Sequence, residues 1–523
     1  MEEMKNSCSD KAESKGVFRM FMPKHEYHGS PSGIDAMLHR MDGKISDRRF
    51  LLYLAVISAI LFIAPVFFIN LWDSDELRVA GIAAEMAVEN DWLMPKLNGM
   101  PFLEYPPLFY AAAAANFRIF GLTSFAAKLP TAFSASAGVL MFYWMMRILR
   151  RSKCESFAGA FMLATGMQYL TNAYDCRVDM MLTAFCILIW TGFAMMEFSG
   201  AGFARRAVGM MMTGFGIAGA VLTKNLTGLA ITLPGIACTI FFCDLAKRRF
   251  SFAAYCRLAG AVLLGMLPYA LYLWLMYRKH GVDVVETVFW YNNFGRFSGS
   301  VADHSCPWWG YLESFYEYFP PYMPLMLVGM FLQIKACRKS RSPYGILSLS
   351  LLVIPFIVLS AASNKRQVYL LPLAAPAAML AASTLPYVIY WVRKLFGRNV
   401  ILPFRRRLKA VICAVTLLLA LIMGSVFGCM SASKSLAPVF AEARRLRAVR
   451  GGRLVLMRPG ERHLGASFFY NRTAVPEIKE WDELNPDDVA VAPLRLEESL
   501  KLPEGASARR FKKAKMIVIS QIK

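Results

Sequence analysis

The chain has 523 residues, 56% of them hydrophobic and only 18% charged, against roughly 25% charged in ordinary soluble domains. Together with a mean hydropathy of +0.40, this excludes a soluble globular protein. The formal net charge of +23 raises nucleic acid as a partner, but the cations sit in short connectors and no basic domain interleaves with aromatics, so that class is excluded too.

Residues 1–48 are polar and basic and lack the apolar core and cleavage site of a signal peptide; they read as a mostly disordered cytoplasmic tail. The first membrane span is expected at 50–71. Directly after it stands DSDELRVAGIAAEMAVENDWLMPKLNGMPFLEYPP (73–107), crowded with acids, a Trp and two prolines. Its first half predicts a helix lying on the membrane surface, with Val79, Ile82, Ala83 and Met86 on one stripe and Asp75, Arg78, Glu85 and Glu89 on other faces. PPLFYAAAAANFRIFG (106–121) predicts a second surface helix, opened by its prolines and too short to span.

Further spans are expected at 124–148, 155–173, 180–198, 207–223, 226–244, 256–277, 314–335, 343–362, 367–392 and 408–430. The stretch 367–392 contains Pro372, Pro376 and Pro386, which predict a break within it. Basic residues gather in the connectors RILRRSK (147–153), ARR (204–206), KRR (247–249), KACRKSR (335–341) and RRRLK (405–409), so these face the cytoplasm. With the N-terminus inside, segments 72–123, 172–179, 222–226, 278–313 and 363–366 fall outside, and so does 431–523. That tail reads as a small extracytoplasmic α/β domain: an amphipathic helix LAPVFAEARRLRAVR, then strand-like RLVLM, DVAVAP and KMIVIS. The domains expected are thus the tail 1–48, a membrane domain 49–430 with its first outer loop 72–123, and 431–523.

Most of the eleven cysteines lie inside apolar spans, as small core residues do. Cys176 and Cys306 fall in outer loops, and whether they pair stays open. The outward ionisable groups are few and mixed in sign: Asp73, Asp75, Glu76, Arg78, Glu104, Asp175, Arg177, Asp179, Lys224, Arg296, His304, Lys365 and Arg366. Any one of them could be an interfacial salt bridge or a snorkelling side chain. As a set on one side, they suit a site. Lys and Arg can hold a lipid-linked phosphate. A carboxylate can take a proton from an acceptor hydroxyl. A carboxylate with a His can hold a divalent cation. Trp92, Trp308, Trp309 and Tyr311 offer flat faces to a sugar ring, or simply form an interfacial belt.

The loop sequence DELRVAGIAAEMAVENDWLMPKLNGMPFLEYPPLFY resembles the first outer loop of bacterial membrane glycosyltransferases related to the protein O-mannosyltransferases, a group that includes the lipid A 4-amino-4-deoxy-arabinose transferases (ArnT-like). The resemblance continues, in order, through FAAKLPTAFSA (125–135), YDCRVDMML (174–182), LTKNLTGLAITLP (222–234), NNFGRF and DHSCPWWGYL (292–312) and SNKRQVYLLPLAAPA (363–377). It implies an all-α polytopic membrane protein of the C-type glycosyltransferase (GT-C) fold, with about 11–13 transmembrane helices, in a bacterial inner membrane. The implied activity is sugar transfer from a polyprenyl-phosphate donor to lipid A, a protein or another glycan, on the extracytoplasmic face.

The matching positions make Asp75 and Asp179 the catalytic carboxylates, and Arg78, Lys224 and Tyr369 the donor-phosphate contacts. Glu104 and His304 match a metal pair, so a divalent cation is the one cofactor implied. The sequence departs from the pattern at Tyr105, where a lysine is usual, at Asn225, where a glycine is usual, and at Val79, where a tyrosine follows the arginine. The alternative is a lipid or solute transporter or an inactive scaffold of the same fold; a transporter should carry its ionisable groups at mid-membrane on broken helices.

Overall fold

The computed structural model describes residues 46–200, 202–295, 307–313, 319–363, 365–396, 401–496 and 506–520. Among them, nine helices are long and apolar enough to cross a membrane: Asp47–Phe67, Ser124–Ile148, Val178–Phe198, Phe203–Lys224, Thr227–Lys247, Phe252–His280, Pro343–Ala361, Gln367–Trp391 and Ala410–Arg450. The two remaining expected spans also contain helices, Lys153–Thr165 with Met167–Asn172, and Met323–Ser340. This is a multi-pass helical membrane protein with a small sheet at its C-terminal end.

Two elements differ from the sequence expectation, each for a local reason. The 155–173 span is interrupted at Gly166, whose backbone turns extended at φ −61°, ψ 130°. The span expected from 314 has its described membrane helix only from Met323. Pro320 and Pro321 stand before it, and proline lacks the N–H that a helix interior needs. The 367–392 stretch is broken as its prolines predict: a 3₁₀ segment Gln367–Leu373, then helices Ala374–Ala382 and Leu385–Phe396.

The helices Val178–Phe198 and Phe203–Lys224 cross in backbone contact, because a Cβ on Gly192 would lie 2.6 Å from the Thr213 nitrogen. Small residues at such crossings let membrane helices approach closely. This crossing fixes the spacing of the two helices that carry Asp179 and Lys224.

The last long apolar stretch, Ala410–Arg450, comprises the end of helix Ile401–Lys434 and helix Ala437–Arg450, from which the chain continues into five strands. Their order across the sheet is Glu477–Ile478, Leu454–Met457, Val489–Pro493, Met516–Ser520 and Ser507–Phe511; the first three are parallel and the last two antiparallel. Leu454, Leu456, Val489, Val491, Met516 and Val518 turn towards helices Ala437–Arg450 and Glu461–Asn471. There they share one core with Leu77, Ala80, Ala84, Phe109 and Phe117 of the first outer loop. The opposite residues Val455, Ala490, Ile517 and Ile519 pack under Leu484 and Trp481.

That shared core changes the picture of the loop helix Ser74–Glu89. It does not lie on the membrane with a wet polar face. Residues 76–86 are all buried, held between Leu108–Phe120 and Glu461–Asn471. The crossing with Glu461–Asn471 is the tightest feature: a Cβ on Gly81 would come 2.3 Å from Gly465 Cα, and one on Gly465 would come 2.3 Å from the Leu77 carbonyl oxygen. Backbone cannot yield as a flexible side-chain end can, so either methyl pushes the helices apart. Gly81→Ala and Gly465→Ala are each expected to destabilise this docking by about 1–3 kcal/mol. The measurement is thermal melting and limited proteolysis of the purified protein, with Gly202→Ala, which meets nothing within 4 Å, as the neutral control.

Candidate active site

The carboxylate of Asp75 sits in the first turn of the loop helix, where the positive end of the helix dipole favours an anion. Three guanidinium groups converge on it. Arg177 donates to Oδ2, Arg78 Nη2 lies 3.1 Å from Oδ1, and Arg366 Nη1 lies 3.6 Å from Oδ2. Burial pushes the Asp75 pKa up, but Arg177, Arg78 and Arg366 outweigh it and hold the carboxyl below its ordinary range. Arg78 itself is buried, which opposes its charge, yet Glu104 and Asp75 keep its pKa above the usual value.

Arg78 Nη1 reaches two further carboxylates, Glu104 at 3.4 Å and Glu461 at 2.6 Å. Its Nε is buried and meets no hydrogen-bond acceptor among the described residues. A donor left so in a charged cleft is available to an incoming oxygen.

Asp179 opens helix Val178–Phe198 and Lys224 closes helix Phe203–Lys224. The close crossing of these helices brings the two into an ion pair. Lys224 Nζ also lies 4.5 Å from the ring centroid of Tyr369 and 5.4 Å from that of Tyr105, a cation–π wall on two sides. Tyr105 therefore packs against the cation, and a lysine there would set a second ammonium beside Lys224. Asn225 follows at φ 49°, in the half of backbone space that glycine enters freely and asparagine more readily than most residues. Its side chain links Glu104 to the bundle: Nδ2 donates to the Glu104 carbonyl at 3.1 Å, and Tyr269 donates to Oδ1 at 3.0 Å.

One cavity at this end of the bundle is lined by Asp75, Arg78, Tyr105, Arg177, Asp179, Lys224, Arg366 and Tyr369. Asp75, Asp179, Arg78, Lys224 and Tyr369, singled out from the sequence, are thus brought together, with Glu104 on Arg78. His304, the second residue of the metal pair, and Arg296 lie outside the described residues. Glu104 already faces a cation, Arg78, and no group of three His, Cys, Asp or Glu able to hold a metal occurs among the described residues. Cys176 is a buried thiol that donates to the Ala127 carbonyl at 3.2 Å; Cys306 lies outside the described residues. Tyr311 is buried with its hydroxyl 3.2 Å from the Arg366 carbonyl, so it braces the cavity wall, while Trp308 and Trp309 are exposed.

Sequence reasoning missed Glu461, which lies 383 residues from Arg78 and carries no local signal. Arg177 was only one of many outward charges, although its spacing of two from Asp179 in YDCRVDMML puts it at the mouth of that helix.

Known proteins resemble this chain in sequence and in fold. Residues 48–279 match the dolichyl-phosphate-mannose-protein mannosyltransferase family. A curated relative, the undecaprenyl phosphate-alpha-4-amino-4-deoxy-L-arabinose arabinosyl transferase of Yersinia enterocolitica, is 27% identical over 336 residues, 63% of this chain and 58% of that protein. The enzyme of the same name from Pseudomonas savastanoi is 28% identical over 328 residues, 62% of this chain and 59% of its own. The chain thus matches less than two thirds of the length of these relatives. In three dimensions, the crystal structure of ArnT from Cupriavidus metallidurans bound to undecaprenyl phosphate superposes with a TM-score of 0.69 at 17% identity, covering 91% of this chain and 98% of that one.

The chain shares the fold of ArnT.

The archaeal oligosaccharyltransferase AglB from Archaeoglobus fulgidus shares the GT-C architecture more distantly, with a TM-score of 0.52 at 12% identity over 86% of this chain and 70% of its own. The loop helix of this chain carries one more buried acid, Glu85. Its Oε1 accepts from the Gly99 amide at 2.8 Å, while Oε2 is buried without a hydrogen-bond partner among the described residues. Burial, reinforced by Glu89, raises its pKa to about 7 against the opposing Gly99 and Asn98 amides and Lys96. A carboxyl raised from 4.5 on folding contributes stability that is complete below that value and is lost as pH rises through about 7. Glu85→Gln should therefore melt higher than the parent at pH 8, by up to ~2 kcal/mol, with no advantage near pH 4. Melting curves of both proteins across that range check this.

Proposed function

We propose that this protein is a membrane glycosyltransferase that moves a sugar from a polyprenyl-phosphate donor to an envelope acceptor (lipid A, a protein or another glycan) at the extracytoplasmic face of a bacterial inner membrane. The observation that carries this reading is the cavity in which Arg78, Arg177, Arg366 and Lys224 meet Asp75, Asp179 and Glu104. Glu461 and Asp175 also pair with these cations, so a phosphodiester gains its place by displacing a carboxylate from a guanidinium group and by taking the Arg78 Nε donor. A transporter of the same fold would need its charges at mid-membrane; these sit at helix ends. The relatives named above carry undecaprenyl phosphate in their names, and the ArnT crystal structure holds it, which supports the donor class.

In this mechanism the donor phosphate engages Arg78, with Nε as a free donor, together with Lys224 and its tyrosine wall. The acceptor oxygen attacks the anomeric carbon, the bond from that carbon to the phosphate oxygen breaks, and the electron pair stays on the departing lipid phosphate. That phosphate gains charge as it leaves, so cations fixed around it stabilise the transition state more than the ground state. With a hydroxyl acceptor the proton goes to Asp75, whose basicity rises once the guanidinium groups turn to the phosphate. With an acceptor phosphate, already ionised, Asp75 only orders the arginines. Asp179 holds Lys224 in place. A divalent ion at Glu104 would have to share that carboxylate with Arg78.

Orientation is part of the proposal: tail 1–48 cytoplasmic, loop 72–123 and residues 431–523 extracytoplasmic, and 49–430 the membrane domain. It is supported by the basic connectors, which lie at the helix ends opposite Lys224 and Asp179. Reporter fusions at residues 152, 248 and 340 should read cytoplasmic, and those at 100 and 480 extracytoplasmic; a cytoplasmic reading at 100 removes the mechanism.

The decisive experiment is transfer of sugar from an undecaprenyl-phosphate donor by the purified protein in proteoliposomes. Lys224→Ala and Arg78→Ala should each reduce transfer by roughly 10²-fold or more with the protein still monodisperse, and Asp75→Asn by roughly 10²–10⁴-fold. Near-normal rates in both alanine variants would place the phosphate elsewhere.

A further inference from the structure

The C-terminal sheet carries a second concentration of charge, which sugar transfer does not use. Residues 435–523 hold seventeen Lys and Arg against eleven Asp and Glu. Five of the cations fall within seven residues on the edge hairpin formed by Ser507–Phe511 and Met516–Ser520: Arg509, Arg510, Lys512, Lys513 and Lys515. Arg509 is committed within the fold, with Nη1 2.9 Å from Glu442 Oε1 and its guanidinium over the Phe511 ring. Lys512, Lys513 and Lys515 are exposed, and no carboxylate among the described residues pairs with them.

Position gives this charge a direction. The turn Lys512–Ala514 packs against Ile401–Lys434, the last membrane helix. That helix ends in Lys434, whose Nζ lies 4.7 Å from the ring centroid of Trp72, just past the first span. A Trp and a Lys together at the ends of two spans mark the headgroup level of a bilayer. The lysine side chains of the turn, about 6 Å long when extended, and a Debye length of about 8 Å bring headgroup phosphates at that level within electrostatic reach. Turn chemistry alone does not ask for lysine here: Lys515 adopts φ 55°, where glycine or asparagine is accommodated more readily.

We propose that Lys512, Lys513 and Lys515 bind anionic phospholipid headgroups of the adjoining leaflet and so seat the C-terminal unit on the bilayer. The ligand is a phosphate-bearing lipid surface, and the contact does not depend on which reaction the cavity catalyses. Near an anionic membrane each basic residue strengthens such a contact by about fivefold, so three should make it strongly dependent on lipid charge and on salt.

The test uses the full chain in nanodiscs of phosphatidylcholine alone or of phosphatidylcholine mixed with phosphatidylglycerol, read by hydrogen exchange of the 507–520 amides. Exchange should slow severalfold in the anionic discs. The slowing should vanish at high salt and in Lys512→Gln/Lys513→Gln/Lys515→Gln, and persist in the triple Lys→Arg variant. Equal exchange of the parent protein in the two lipids overturns the proposal whether or not any variant folds. An undiminished slowing in the glutamine variant overturns it as well. Exchange of helix Glu461–Asn471 reports in the same spectra that the unit is folded.

Discussion

A guanidinium removed from water must be met by carboxylates, and Arg78 is met by three, from three separate stretches of chain: Asp75, Glu104 and Glu461. Losing any one partner leaves the others with an under-compensated buried charge, which is far more damaging than breaking an exposed pair. The start of the loop helix, the Pro-Pro segment and the first turn of the C-terminal helix are therefore tied to one point. The Gly81–Gly465 crossing brings the C-terminal helix close enough for Glu461 to reach it.

A second buried pair does the same work one layer down. Glu76 and Lys128, both fully buried, form an ion pair. The Glu76 carboxylate also accepts the Cys176 amide at 3.0 Å and the Trp72 and Asp73 amides at 3.2 and 3.3 Å. Lys128 donates in addition to the Tyr174 carbonyl at 2.7 Å. Glu76 follows Asp75 and Cys176 precedes Arg177, so this node sets the register in which Asp75 and Arg177 meet. Ions this deep are satisfied by several hydrogen bonds each, the condition under which burial is tolerated.

Much of this was legible in the sequence, because hydrophobic length and basic connectors are local properties. Spans such as 124–148 and 343–362 were placed to within a residue or two, and Pro372 and its neighbours announced the broken helix. The strand-like RLVLM, DVAVAP and KMIVIS became three neighbouring strands of one sheet. The residues picked out around the cavity were gathered there, because each stands at a helix end on one side of the bundle. What could not be read was long-range packing. Nothing in DELRVAGIAAEM says that a helix from residue 461 will cover its polar side, and so an amphipathic pattern looked like a membrane-surface helix. Likewise nothing local to Tyr105, which stands where a lysine is usual, says that its ring faces Lys224.

The reach from Arg78 to Glu461 also sets a timetable for the molecule's assembly. Membrane chains are inserted from the N-terminus, so Arg78 leaves the ribosome hundreds of residues before Glu461, its nearest carboxylate, exists. Through most of synthesis the loop helix must stay open, with Gly81 uncovered and the guanidinium in water. The cleft closes only when helix Glu461–Asn471 and the sheet have formed and docked. A chain that stops before residue 461 has its spans in place but lacks this wall of the cavity, so the site depends on residues far along the chain from the loop that begins it.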